Sequence, residues 1–96
     1  MSDDNTVSMH DNPSESRYEI AVDEQLAGYL EYERQGATTV LESTQVLDGY
    51  GGRGIGSRLV QYVLDDVRAS GANADVQCPF VDSFIDNHRE YEDLRI

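Results

Sequence analysis

The chain contains no lysine. Its seven basic residues are all arginines, set against 19 Asp and Glu, for a formal net charge of −12 over 96 residues. So acidic a surface repels nucleic acid and anionic membranes, which argues against both as partners. There is one cysteine, Cys78, so no internal disulfide can form. One Cys and two scattered histidines, His10 and His88, make no ligand set for a metal ion. No apolar run approaches the roughly 18 residues of a membrane span. The start of the chain lacks the charged-then-apolar pattern of a signal peptide. These absences lead us to expect a cytoplasmic protein without metal, membrane or nucleic-acid partner. Acid-rich, lysine-free composition also fits adaptation to high salt, where counter-ions screen self-repulsion. A G+C-rich coding bias is the alternative.

What is present suits one domain. Residues 1–16, MSDDNTVSMHDNPSES, are polar and show no apolar periodicity, so a disordered acidic tail is expected there. Residues 17–96 then form the domain. Arg17 to Val22 alternates, with Tyr18, Ile20 and Val22 on one side, as a half-buried strand does. Leu26 to Gln35 and the β-branched stretch Thr38 to Leu47 read as two more strands. Short turns at Asp23-Glu24-Gln25 and around Gly36 make the three an antiparallel meander. Ile55, Leu59, Val60, Val63, Leu64 and Val67 fall on one helical face, and Gly71 supplies a C-terminal stop. Ala74 to Phe80 reads as a fourth strand carrying Cys78, parallel to the strand before the helix. Val81 to Leu94 reads as a second helix. The expected layout is β-β-β-α-β-α, an α/β fold with helices packed on a mixed sheet.

The most informative stretch is VLDGYGGRGIGSRLVQYVLDDVRA, residues 46–69. A strand ends, a loop with Gly at 49, 51, 52, 54 and 56 follows, and a helix begins near Ile55 or Gly56. Strand, glycine loop and helix can hold a phosphate. Backbone N–H groups turn inward where no Cβ obstructs them, and the first helical turn adds unpaired donors. Arg53 adds a charged donor. No Gly-Lys-Ser/Thr follows, so this is not a nucleotide triphosphate loop. The spacing Gly51-x-x-Gly54-x-Gly56, with Asp75 about twenty residues on, touches the dinucleotide pattern, but the flanking chain is too short for paired βαβ halves. A glycine-rich turn with no ligand remains the plain alternative.

The segment Gly52-Arg53-Gly54-Ile55-Gly56 resembles the acyl-CoA loop of the GNAT superfamily of N-acetyltransferases. With CPFVDSFIDNHREY, residues 78–91, the likeness sharpens to a small branch of that superfamily, the minimal acetyltransferase-like proteins. It runs from about Tyr18 to Leu94. The matching residues are Thr44 and Val46, the loop, Cys78-Pro79-Phe80-Val81, and His88 with Tyr91. Ser43 stands where the branch has a strand histidine, Gly51 where the loop has its first anchor, and Arg89 where a proline follows the histidine. Minimal proteins of this kind lack the acceptor-binding helices and last strands of larger acetyltransferases. Their substrate pocket is therefore incomplete or shared with a partner, a second copy or another protein.

The resemblance implies acetyl-CoA or coenzyme A as co-substrate, with the amine or thiol acceptor left open. Gly52, Arg53, Gly54, Ile55, Gly56 and Ser57 would hold the pyrophosphate. The strand end at Val46 and Leu47 would pair its backbone with the pantetheine arm. Cys78 would lie where the acetyl group arrives, as a nucleophile or as a packed apolar thiol. His88 is a base or a packing residue, and Tyr91 an acid for the departing thiolate or a packing residue. A non-catalytic CoA-binding or protein-interaction module is the competing reading.

Overall fold

The polar start of the chain departs from expectation. In the computed structural model, which describes residues 6–96, Val7–Asn12 form a strand, β1. It pairs antiparallel with β2 (Arg17–Val22), Met9 opposite Ile20 and Asp11 opposite Tyr18. The disordered tail expected over residues 1–16 is thus corrected for the strand and for the short 3-10 turn Pro13–Glu15 behind it; residues 1–5 lie outside the described residues. The strand is held by tertiary contacts rather than by propensity. Val7 and Met9 are half-buried against the core. Asp11 accepts hydrogen bonds from the Tyr32 hydroxyl at 2.5 Å and from Arg34 Nη2 at 2.8 Å.

Beyond β1 the meander is as expected. β2 turns into β3 (Gln25–Gln35) through Asp23 and Glu24, both at positive φ, the tight turn that matches strand twist. β3 turns at Gly36 into β4 (Thr38–Val46). The helix α1 spans Ile55–Ala69, and all six apolar positions of its predicted face are buried. They pack on Tyr18, Ile20, Leu30 and Leu41 of the sheet in one core cluster. Full burial of each such aliphatic side chain stabilises by roughly 1.5–3 kcal/mol. The Tyr18 hydroxyl donates to Asp66 of α1 at 2.5 Å, and burial with that carboxylate holds the phenol above its ordinary range.

After α1 the chain enters β5 (Asn73–Val76), parallel to β4, completing a five-stranded sheet in the order β1-β2-β3-β4-β5. The strand is shorter than expected and excludes Cys78. A proline has no N–H to give a ladder, pre-sets φ for a first helical position, and forces an extended residue before it. Accordingly α2 runs Pro79–Asp86, with Cys78 extended at its N-cap. Asn87 closes α2, and the expected long second helix is completed instead by a 3-10 segment, Arg89–Leu94. The α/β class and the mixed sheet with its antiparallel meander hold; the count gains one strand. No helix among the described residues is long and apolar enough to cross a membrane.

Candidate functional site

The site is built where β4 outruns β5. The parallel pairing stops at Leu41 with Val76, closed by the Gln77 N–H on the Leu41 carbonyl at 3.0 Å. β4 continues to Val46 bonded to β3 alone. Leu47 donates its N–H to the Ala27 carbonyl at 2.8 Å and accepts from the Tyr50 N–H at 3.1 Å. Its backbone is therefore already committed. Since ladder bonding alternates along a strand, Val46 turns its own N–H and C=O to the side that β5 has vacated. Of the two strand-end residues expected to meet a ligand arm, Val46 is the one with backbone available.

The loop then reverses through Gly49, Gly52 and Gly54 at φ 92°, 76° and 73°. At Gly54, the N-cap of α1, this left-handed angle suits glycine. A Cβ there, or at Gly51 or Gly52, would meet nothing within 4 Å, so the space above the loop is open. No side chain caps the helix. Its first N–H groups, which lack intrahelical partners, face an anion site in principle. Arg53 is exposed, its guanidinium 5.7 Å from the centre of the Tyr50 ring.

Val46, Gly52, Gly54, Ile55, Gly56 and Ser57 line one cleft of about 220 Å³, with Gly51 and Phe80. Leu47 and Arg53 are not on its wall. Gly56 sits in the first turn of α1, and a Cβ there would lie 2.9 Å from the Phe80 ring. The missing side chain lets that ring settle between the two helix starts. Phe80 and Ser57 also line a second cleft of about 170 Å³ with Ser83, Phe84, Asn87 and His88. The two clefts are neighbours with Phe80 between them. A larger one, about 260 Å³, lies between Met9 and the flank of α1 around Tyr62 and holds none of the loop residues.

Cys78 lines neither cleft beside Phe80 and is 4% exposed. Its Sγ lies 3.3 Å from Thr44 Oγ1, across the gap where β4 and β5 part. Sequence reasoning named Thr44 as a matching residue but gave it no role beside Cys78. Strand alternation carried the signal, because Thr44 and Val46 share a face. Ser43 faces the other way, donating to Glu31 Oε1 at 2.8 Å. His88 stacks on Phe84, ring centres 3.9 Å apart, and its Nδ1 contacts the Phe84 carbonyl at 2.8 Å. Tyr91 is remote from the loop. Its buried hydroxyl donates to Asp65 of α1 at 2.7 Å, and burial with that carboxylate raises the phenol to about 12.

The site thus combines a splayed parallel pair of a mixed sheet, a glycine-rich turn and an uncapped helix start. A family model described as GCN5-related N-acetyl-transferase matches residues 17–94, and the chain belongs to that family. The fold is similar to the solution structure of a GCN5-like candidate N-acetyltransferase from Staphylococcus aureus. That match has TM-score 0.71 and 21% identity, over 93% of this chain and 87% of that one. A crystal structure of a candidate GNAT-family acetyltransferase from Desulfovibrio desulfuricans matches with TM-score 0.55 and 23% identity, over 80% of this chain and 52% of that one. This chain thus spans about half of that larger protein. No curated protein matches the chain.

Proposed function

We propose that this domain binds acetyl-CoA and transfers its acetyl group to an amine or thiol acceptor. The reading is carried by the continuity of one cleft, from the uncapped α1 start at Gly54–Ser57 to the open backbone edge at Val46. The pyrophosphate meets the loop N–H groups and Arg53. The pantetheine arm adds to the Val46 edge in the place that β5 leaves empty. Gly52 to Ser57 bind, Val46 orients, and Cys78 receives.

In the relay form of the reaction, the Cys78 sulfur attacks the thioester carbonyl. A new S–C bond forms, the bond from the acetyl carbon to the CoA sulfur breaks, and the thiol proton passes to the departing CoA thiolate. The acceptor amine then attacks the acetyl-cysteine and returns a proton to the sulfur. Thr44 Oγ1, in contact with the sulfur, orients it. The ring of Phe80 moves aside for the thioester to reach it.

Burial of Cys78 also favours a second reading, a CoA-binding module without turnover. Calorimetric titration of acetyl-CoA and CoA, in high salt, is the first test. Gly54→Asp places a carboxylate where the phosphate would sit, and its binding should be lost. Absence of binding to wild type sinks both readings. Binding by wild type followed by mass spectrometry separates them. An acetyl group on Cys78, absent in Cys78→Ala, supports the relay, and binding without acetylation or turnover supports the module.

A further inference from the structure

The two edges of the sheet are finished differently. On the β5 side the chain covers its own edge: Arg95 bridges Ala74 in parallel, and the Ile96 N–H donates to the Ala74 carbonyl at 3.0 Å. On the other side β1 is outermost, and among the described residues nothing pairs with its outer edge. Val7–Asn12 carry none of the usual devices that blunt such an edge, neither lysine nor proline nor bulge. We infer that this edge pairs with a second copy of the chain, β1 antiparallel to the partner's β1, about a two-fold axis through Met9.

The ladder sets the register. The Thr6 carbonyl accepts from the Asp23 N–H at 2.8 Å, so it faces β2. Alternation then turns the backbones of Ser8, His10 and Asn12 toward β2, and those of Val7, Met9 and Asp11 outward. An axis at Met9 sets Val7 opposite the partner's Asp11 and uses every outward residue of both copies. An axis at Asp11 would oppose two carboxylates. The helix flank meets the same axis. The cleft of about 260 Å³ is lined by Met9 together with Arg58, Gln61, Tyr62 and Asp65 of α1. α1 returns from the end of β4 to the start of the parallel β5, so it runs opposite to β4 and in the same sense as β1. The two-fold reverses both elements, and Arg58 comes to face the partner's Asp65 across the cleft. The midpoint of that pair in sequence is Gln61–Tyr62, beside Met9. Arg17, Arg34, Arg68, Arg89 and Arg95 all hold carboxylates, whereas Arg58 makes no ion pair among the described residues. A chain with 19 acidic residues thus leaves one arginine open beside its bare edge, where a second copy brings it a carboxylate. The partner's Met9 adds a flexible apolar side chain to the cleft.

Each copy carries a net charge of −12, so sedimentation equilibrium of the whole chain is run from about 0.15 M to molar salt, where that repulsion is screened. Wild type should form a dimer that tightens with salt. Amide exchange locates the contact. The N–H groups of Val7, Met9 and Asp11 should gain about tenfold protection as the dimer fills, while those of Ser8, His10 and Asn12 are protected throughout. At the lower salt, Arg58→Asp and Asp65→Arg should each weaken the dimer about tenfold, and an equimolar mixture should restore it, because the mixed dimer regains both opposite-charge pairings. Met9→Pro removes an outward N–H that serves no bond within the chain, and should leave a folded monomer. A wild-type monomer at millimolar concentration in molar salt overturns the proposal. So does a dimer whose Val7, Met9 and Asp11 amides exchange as freely as in the monomer. A mixture that associates no more tightly than either charge variant alone overturns the axis through Met9, and the proposal with it. The wild-type amide pattern decides even where a variant does not fold.

Discussion

Replacing Gly56 by Ala tests the arrangement of the two helix starts. The new Cβ would lie 2.9 and 3.1 Å from Phe80 Cζ and Cε2, and 3.4 Å from Val46 Cγ2. The close atoms belong to the far end of a ring that is 43% exposed, so it can swing outward instead of forcing the backbone apart. An off-rotamer displacement of that kind costs about 0.5–1.5 kcal/mol. Against it stands the helix propensity of Ala over Gly, worth up to about 1 kcal/mol. The two nearly cancel. Stability should stay within about 1 kcal/mol of wild type, a melting shift of at most 4–8 °C by the usual scaling, to order of magnitude (~). The displaced ring should expose Cys78. Because Cys78 is the sole cysteine, its reaction with a chromogenic disulfide reports the opening directly and should accelerate about tenfold, equivalent to ~1.4 kcal/mol of opening. Gly51→Ala, whose Cβ meets nothing within 4 Å, is the control and should change neither quantity. A loss beyond about 2 kcal/mol in Gly56→Ala would mean that Phe80 is locked, as in an overpacked core. Unchanged thiol reactivity with normal stability would mean that Phe80 does not screen the sulfur.

Three further outcomes follow from the polar contacts and charge. The native state holds the Tyr91 proton more tightly than the unfolded chain, so its contribution is full below the ordinary phenol value of 10.0 and is lost as pH rises toward about 12. Tyr91→Phe should therefore show a shallower alkaline decline in denaturation midpoints, and parallel declines would refute the assignment. Asp11→Ala removes the acceptor of Tyr32 and Arg34 and should cost about 1–3 kcal/mol. Hydrogen exchange should show the β1 amides losing protection first, and uniform loss across the sheet would show that β1 is not separately anchored. With a net charge of −12, the melting temperature should rise from low to molar salt. A flat series would remove the case for salt adaptation.

The parts of the fold that were legible in the sequence are those fixed by local chemistry. The α1 face follows from the spacing Ile55 to Val67, and β2 through β4 follow from alternation and β-branched residues between short turns. What local pattern could not supply depends on partners distant in sequence. β1 has two apolar residues and is secured through Asp11 to side chains more than twenty positions away. The parting of β4 from β5, and with it the commitment of Leu47 and the availability of Val46, depends on where pairing stops. Cys78 at a helix N-cap instead of within a strand was legible in part, since Pro79 fits a helix start better than a strand interior. The loop itself was readable as glycine-rich. That Gly56 serves Phe80 was not, because the reason lies on another helix.

In the proposed relay, the burial of Cys78 bears on time as well as on access. A thioester formed on that sulfur would be shielded from water by the same packing that delays its formation. Hydrolysis, the wasteful fate of an acyl-enzyme, would then proceed only as fast as that packing opens. The domain could then carry an acetyl group between encounters instead of needing both reactants at once. Its turnover would be paced by how often Phe80 opens.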